Sequence, residues 1–434
     1  MAWVGGNRFM VLTSTYAARA SSSPHPAMGF KQFVALIAAL MAINSLAIDA
    51  MLPALKTIGD AIGIVADNQR QWIVTIYLLA FGVAQIGCGP LADRFGRKPV
   101  LLIGLGMFAL FSVVAALARS FETMMIARAL EGVGAASSRV LSVSIVRDCY
   151  SGRPMARVMS LAFIVFMVVP VIAPSIGQVI ILFTAWPSIF IAFAVFALAV
   201  MAWVWFRLPE TLNPENRVPI SVAAIAHSFK IVLTTRIAVG YTLATAVLMG
   251  GLFGFVNSAQ QVFIDAFHAG RLFTPVFAII ASFIAISSLL NARLVGRLGM
   301  HLLSHGAMIA YIVCAVVHAA IALGGRETLP IFTIMLGIQM FCFGLVASNF
   351  GALAMDPLGR LAGAASSVQG FVTTVGGALC GFWVGQSFNG TAVPLTLGYA
   401  GFGVGAFAIV LVTEKFRLFV SSEPGKAGAA QTAS

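Results

Sequence analysis

The sequence predicts an all-α membrane protein, with twelve transmembrane helices in two pseudo-symmetric six-helix bundles. Three observations lead there. Of 434 residues, 60% are apolar and 9% charged, whereas soluble domains carry about 25% charged residues. The mean hydropathy is +0.99, and a soluble chain of this length would split into domains with charged skins. Twelve separate apolar runs each approach the roughly 20 residues that cross a bilayer as a helix. They are continuous and rich in Ala, Leu, Ile, Phe and Gly, without the alternation of a membrane β-barrel.

Taken in order, residues 1–29 precede the first run. Arg8 and Arg19 flank only Phe9–Leu12, too short for the apolar region of a signal peptide. This segment reads as a disordered cytoplasmic tail, with Met28 as an alternative start. Six runs follow at 31–53, 72–92, 99–118, 123–146, 158–183 and 187–206, giving a first bundle over 30–207. Residues 208–235 form the one long polar linker, with Pro209, Glu210, Pro214, Glu215, Arg217, Pro219 and Lys230. Six more runs, at 236–260, 273–295, 301–323, 330–352, 362–386 and 391–413, give a second bundle over 236–413, and residues 414–434 form a second tail.

Charge sets the expected orientation. With the N-terminus inside, 18 of the 26 Lys and Arg residues fall in cytoplasmic segments and 5 in outer loops. Basic residues favour the cytoplasmic side, so both termini are expected there. The net charge of +12 is accounted for by those loops, and no nucleic-acid partner is expected. The five cysteines are scattered without metal-ligand spacing, which suits apolar packing. The halves repeat weakly: Arg94-Phe95-Gly96-Arg97-Lys98 and Arg297-Leu298-Gly299-Met300-His301 join matching spans. Repeated halves around a cytoplasmic linker suit a transporter whose substrate site lies between them.

Four segments carry chemistry. Gly89-Pro90-Leu91-Ala92-Asp93-Arg94-Phe95-Gly96-Arg97-Lys98 combines turn-forming glycines with an acid and a basic cluster. In span four, Arg128 and Glu131 stand three apart, so they share a helix face. They form either a cavity charge with its partner or a structural ion pair. Arg139 is a further charge in that span. In span five, Pro170, Pro174 and Gly177 bend the helix by removing backbone donors. The bend serves either function or packing. At the end of span one, Asp49 precedes Pro53, either as a working acid or as an interfacial end marker. Asp49 and Glu131 are the acids well inside apolar runs, hence the two candidates for proton coupling. Asn257, Gln260, Gln261 and Gln369 are candidate substrate-cavity donors.

These segments resemble the major facilitator superfamily. Residues 89–98 resemble its signature loop Gly-x-Leu-Ala-Asp-Arg-x-Gly-Arg-Lys. Arg128 to Gly132 is similar to its Arg-x-x-Gln-Gly motif, with Glu131 in place of Gln. Ala173-Pro174-Ser175-Ile176-Gly177-Gln178 partly matches the antiporter motif Gly-Pro-x-x-Gly-Gly, departing at Ala173 and Gln178. Asp49-Ala50-Met51-Leu52-Pro53-Ala54-Leu55 resembles the end of span one in drug:proton antiporters. Met355-Asp356-Pro357-Leu358-Gly359-Arg360-Leu361-Ala362-Gly363 and Arg147-Asp148 resemble the Bcr/CflA multidrug exporters in particular. The resemblance runs from about residue 30 to about 415. It implies the major facilitator fold and export of small amphipathic drugs in exchange for protons from a bacterial inner membrane. It also implies a conformational-switch role for Gly89, Asp93, Arg94, Gly96, Arg97 and Lys98.

No Gly-x-x-x-x-Gly-Lys-Ser/Thr phosphate loop, His-Glu-x-x-His helix or Gly-x-Ser-x-Gly elbow is present, so neither ATP hydrolysis nor hydrolase chemistry is expected. The expected partners are a small molecule, protons and the bilayer. No cofactor or metal is expected, and the chain is read as a monomer. An importer or metabolite exporter of the same fold stays open. A membrane enzyme would cluster His and carboxylates at one face, and a channel would repeat polar rings. The sequence has neither pattern.

Overall fold

The computed structural model describes residues 28–217 and 222–419. The tails expected at 1–29 and 414–434 lie mostly outside them. Among the described residues, twelve helices are long and apolar enough to cross a membrane. They are α1 (Phe30–Asp49), α2 (Trp72–Phe95), α3 (Arg97–Ala116), α4 (Phe121–Cys149), α5 (Gly152–Phe183) and α6 (Pro187–Arg207). The second set is α7 (Arg236–Gln261), α8 (Phe273–Leu298), α9 (Met300–Leu323), α10 (Leu329–Met355), α11 (Ala362–Gln386) and α12 (Val393–Thr413).

Local sequence explains several boundaries. Proline opens α6, α10 and α12, where its missing N–H costs nothing. Ser120 caps α4 by accepting the Thr123 N–H. Apolar run one turns after Asp49 instead of continuing to 53, because Pro53 starts a short 3-10 turn at Leu52–Ala54. Helices α4 and α5 extend beyond their apolar runs, since their polar last and first turns project past the apolar layer. The polar linker contains a helix, Val222–Thr234. Its Phe229, Ile231 and Val232 pack on Ala238, Leu358 and Val368.

The two sets of helices pack by the same pattern. In the first, α1 packs on α4, α5 and α6, α2 and α3 pack on α4, and α3 packs on α6. In the second, α7 packs on α10, α11 and α12, α8 and α9 pack on α10, and α9 packs on α12. Each partner differs by six helices, so the weak repeat in the sequence is a strong repeat in space. Gly96 alone separates α2 from α3, and Gly299 alone separates α8 from α9. Both have positive φ, +104° and +78°, a conformation that favours glycine.

The sets meet along two seams, α2 against α11 and α5 against α8. Connections alternate between two faces. The α2–α3, α4–α5, α6–α7, α8–α9 and α10–α11 connections share one, here the basic face, and the rest share the opposite face. Apolar side chains such as Phe183, Trp205 and Phe206 point outward, as a helix bundle in lipid requires.

Candidate functional site

Inside the first set of helices, Arg128 and Glu131 sit one turn apart on α4, both fully buried. Arg128 Nη1 lies 2.5 Å from Glu131 Oε2. Its Nε donates to the Ile73 carbonyl of α2 and its Nη2 to the Ala47 carbonyl of α1, both at 3.1 Å. The guanidinium lies 4.4 Å from the centre of the Tyr77 ring. The other Glu131 oxygen accepts the Ser112 hydroxyl of α3 at 2.7 Å. The pair therefore joins four helices. Gly132 makes room for it, since a side chain there would run into the Tyr77 backbone. Arg128 faces this dry interior rather than an open cavity. Arg139, further along α4 toward the basic face, is half-buried.

Asp49 is placed differently. It ends α1 two residues after Ala47 and is buried, 7% exposed. Its carboxyl has no hydrogen bond or ion pair among the described residues. The two candidate acids are thus unequal: Glu131 is held by a guanidinium, whereas Asp49 has no counter-ion. Next to Asp49, Ala50 lies directly against Gly177, where any side chain would strike the Ala50 backbone. Pro174 and Pro170 lie about one and two turns earlier on this same helix, α5. The same α5 forms the seam with α8.

On the basic face, Arg97 bridges Asp93 at 2.6 Å and Asp148 at 3.0 Å. Glu210, just after α6, accepts the backbone N–H groups of Arg97 and Lys98 at 2.9 and 3.2 Å. A carboxylate at the free N–H groups of a helix start is favourably placed. Lys98 donates to the Trp205 carbonyl at 2.8 Å, and Arg94 stacks on Phe95. On Gly89, a side chain would meet the Ser367 hydroxyl of α11. The loop therefore locks α2, α3, α4 and the end of α6 together beside the α2–α11 seam.

On the opposite face, uncharged amides close the same seam. Gln71 donates to Gln261 Oε1 at 2.6 Å and to the Gly385 carbonyl at 2.8 Å. Gln261 donates to Asn68 at 2.7 Å. Asn68 donates to the carbonyls of Gln386 and Phe388, and Gln386 donates back to Gln71 and to the Asn68 carbonyl. Thr75 donates to Asn257, and Gln260 to the Pro53 carbonyl. Asn257, Gln260 and Gln261, expected along a substrate cavity, are instead buried between the two sets of helices. Their contacts make them closing residues in this conformation. Gln369 is elsewhere, half-buried on α11 and bonded to the Gly351 carbonyl at 3.4 Å.

Comparison with known proteins settles the family. Residues 36–381 match the Major Facilitator Superfamily. The chain belongs to that superfamily. The bicyclomycin resistance protein homolog of Haemophilus influenzae is 29% identical over 88% of this chain and 94% of its own. The uncharacterized MFS-type transporter YdgK of Bacillus subtilis is 30% identical over 83% and 90%. The multidrug resistance protein MdtL of Shewanella sp. (strain ANA-3) is 28% identical over 87% and 94%. Among solved structures, the human organic anion transporter MFSD10 (TETRAN) superposes with a TM-score of 0.59, covering 88% of this chain and all of that one. At 17% identity that likeness concerns the fold alone. This member of the superfamily is a multi-pass membrane protein.

Several residues of this major facilitator protein carry weight that the sequence reading did not give them. Asn68, Gln71 and Gln386 stand at the ends of apolar runs, where polar residues are ordinary. Glu210 looks like one more linker charge. Ser112 lies in an apolar run, and only the spacing of helices reveals that it faces Glu131.

Proposed function

We propose that this chain exports small amphipathic compounds, drugs included, in exchange for protons across a bacterial inner membrane by alternating access, and that it is not an enzyme. The bicyclomycin and multidrug resistance names of its relatives support the substrate class. The observation that carries proton coupling is the Asp49 carboxyl, buried yet without a counter-ion. A buried charge without a partner is costly, so such a carboxyl is stable when protonated, and it gives its proton to water and becomes a carboxylate when water reaches it. The Gly177–Ala50 contact links that environment to α5, a helix of the seam between the sets. Glu131 is the second candidate, but releasing its charge also unbalances Arg128. In this reading the loop at Arg97 latches the basic face, the amides at Gln71 close the other, and the α2–α11 seam parts at each face in turn. The count of basic residues supports a cytoplasmic basic face with both termini there. No cofactor is required, because the proton gradient supplies the driving force, and the protein works as a monomer.

The test is Asp49→Asn, which keeps the shape but cannot titrate. It should bind substrate, yet release no proton on binding and fail to drive uphill uptake into inverted vesicles under a pH gradient. Uphill accumulation by this variant would move the coupling acid elsewhere. Reporter fusions at Pro214 should read cytoplasmic, and a periplasmic signal would overturn the orientation.

A further inference from the structure

The second set of helices contains a buried acid–base pair with no place in the reading above. Glu327, in the short connection between α9 and α10, reaches back to His318 near the end of α9, with Oε1 2.6 Å from Nε2. The His318 side chain is 1% exposed and that of Glu327 8%. The other ring nitrogen, Nδ1, lies 2.8 Å from the amide nitrogen of Gln339 on α10. Gln339 is fully buried, and its Oε1 has no hydrogen-bond partner.

In the arrangement seen, the amide nitrogen of Gln339 faces Nδ1. An amide nitrogen can only donate, so Nδ1 accepts in this arrangement, and the ring proton sits on Nε2, directed at Glu327. The ring is then neutral, and with Glu327 ionised the pair carries one net negative charge. A proton added at Nδ1 balances that charge. It also asks for an acceptor, and half a turn of the Gln339 amide presents the oxygen that now lacks a partner. The resulting hydrogen bond has a charged donor, which strengthens it.

We infer that His318, Glu327 and Gln339 form a proton-binding site of the second set of helices, separate from Asp49 and Glu131. Its neighbours are few. On α9 itself Cys314 lies one turn away, and Tyr311 pairs with Tyr399 of α12. The Phe332 ring of α10 packs on His318. Phe263 and Phe267 pack on Phe332, and their segment carries half-buried Asp265 with exposed His268 and Arg271. Arg326, beside Glu327, is exposed, and α8 and α12 bring no charge to this end. Glu327 is therefore the partner that decides whether the ring is charged. The site lies at the opposite face, and α10 packs on α7, which carries Asn257 and Gln261. Protonation there acts on the helices that close this face, so the site senses the pH of that compartment.

Deuterium exchange at the imidazole C2 position, followed by mass spectrometry of the purified full chain in detergent, reports each histidine's protonation as pH varies. The other five histidines are internal controls. The exchange rate of His318 should change sigmoidally with pH. Glu327→Gln should lower its proton affinity about tenfold or more, and Glu327→Asp should largely restore it. Gln339→Leu, which keeps both titrating groups but cannot accept from Nδ1, should lower it by less. A flat profile for His318, or one that neither Glu327→Gln nor Gln339→Leu moves, overturns the assignment. This readout needs no transported substrate, so it stands or falls independently of export.

Discussion

Replacing Glu131 with Gln keeps the side-chain shape and the partner for Ser112, and removes only the charge opposite Arg128. Arg128 cannot lose its proton in response. It retains the Ala47 and Ile73 carbonyls and the Tyr77 ring, but it becomes a cation without a counter-ion in a fully buried site. Removing one partner of such a pair costs about 3–5 kcal/mol. The two carbonyls and the ring face, the latter worth about 2 kcal/mol when desolvated, place the expected loss near about 3 kcal/mol. The same change made in an Arg128→Met background should cost less than about 1 kcal/mol, because the isolated carboxyl is neutralised by a proton. The cycle therefore carries a coupling of about 2 kcal/mol. Denaturant unfolding of the four purified proteins in mixed micelles measures it. A loss below about 1 kcal/mol for Glu131→Gln alone, or equal losses in the two backgrounds, would refute the pairing argument.

Arg128→Ala should abolish transport while the protein still inserts, and Arg128→Lys should rescue it poorly, since one ammonium cannot span Glu131 and two carbonyls on different helices; near-normal vesicle transport by the alanine variant would contradict this. Gln71→Leu removes three hydrogen bonds across the seam, each worth about 1 kcal/mol, so opening of that face should rise roughly thirtyfold or more. Spin-label distances between exposed positions 56 and 389 should lengthen, and an unchanged distribution would remove Gln71 from the closing set. Gly177→Val forces α5 away from Ala50. It should lower thermal stability and transport together, and full transport by this variant would show that the contact is dispensable.

The fold was legible because a bilayer imposes a simple rule: about 20 apolar residues per crossing, with polar connections between them. Apolar runs alone yielded the twelve spans. The signature segment from Gly89 to Lys98 marked the loop whose Asp93 and Arg97 indeed pair. Helix periodicity also sufficed to place Arg128 beside Glu131, a local relation on one helix.

What the sequence could not decide are relations between helices. Whether Arg128 met a cavity or a dry interior depended on α1 and α2 offering carbonyls, which no spacing encodes. Asp49 and Glu131 were both acids in apolar runs, and only packing showed that, among the described residues, no neighbouring helix brings a cation to Asp49 as α4 itself brings Arg128 to Glu131. Asn257 and Gln261 were polar residues of unknown facing until Thr75 of α2, with Asn68 and Gln71 in the turn before it, met them from some 182 to 193 positions away. Hydropathy is set by a residue's own chemistry and its neighbours in the chain. The state of a buried polar group is set by whatever the fold brings within 3 Å, and that belongs to the tertiary structure alone.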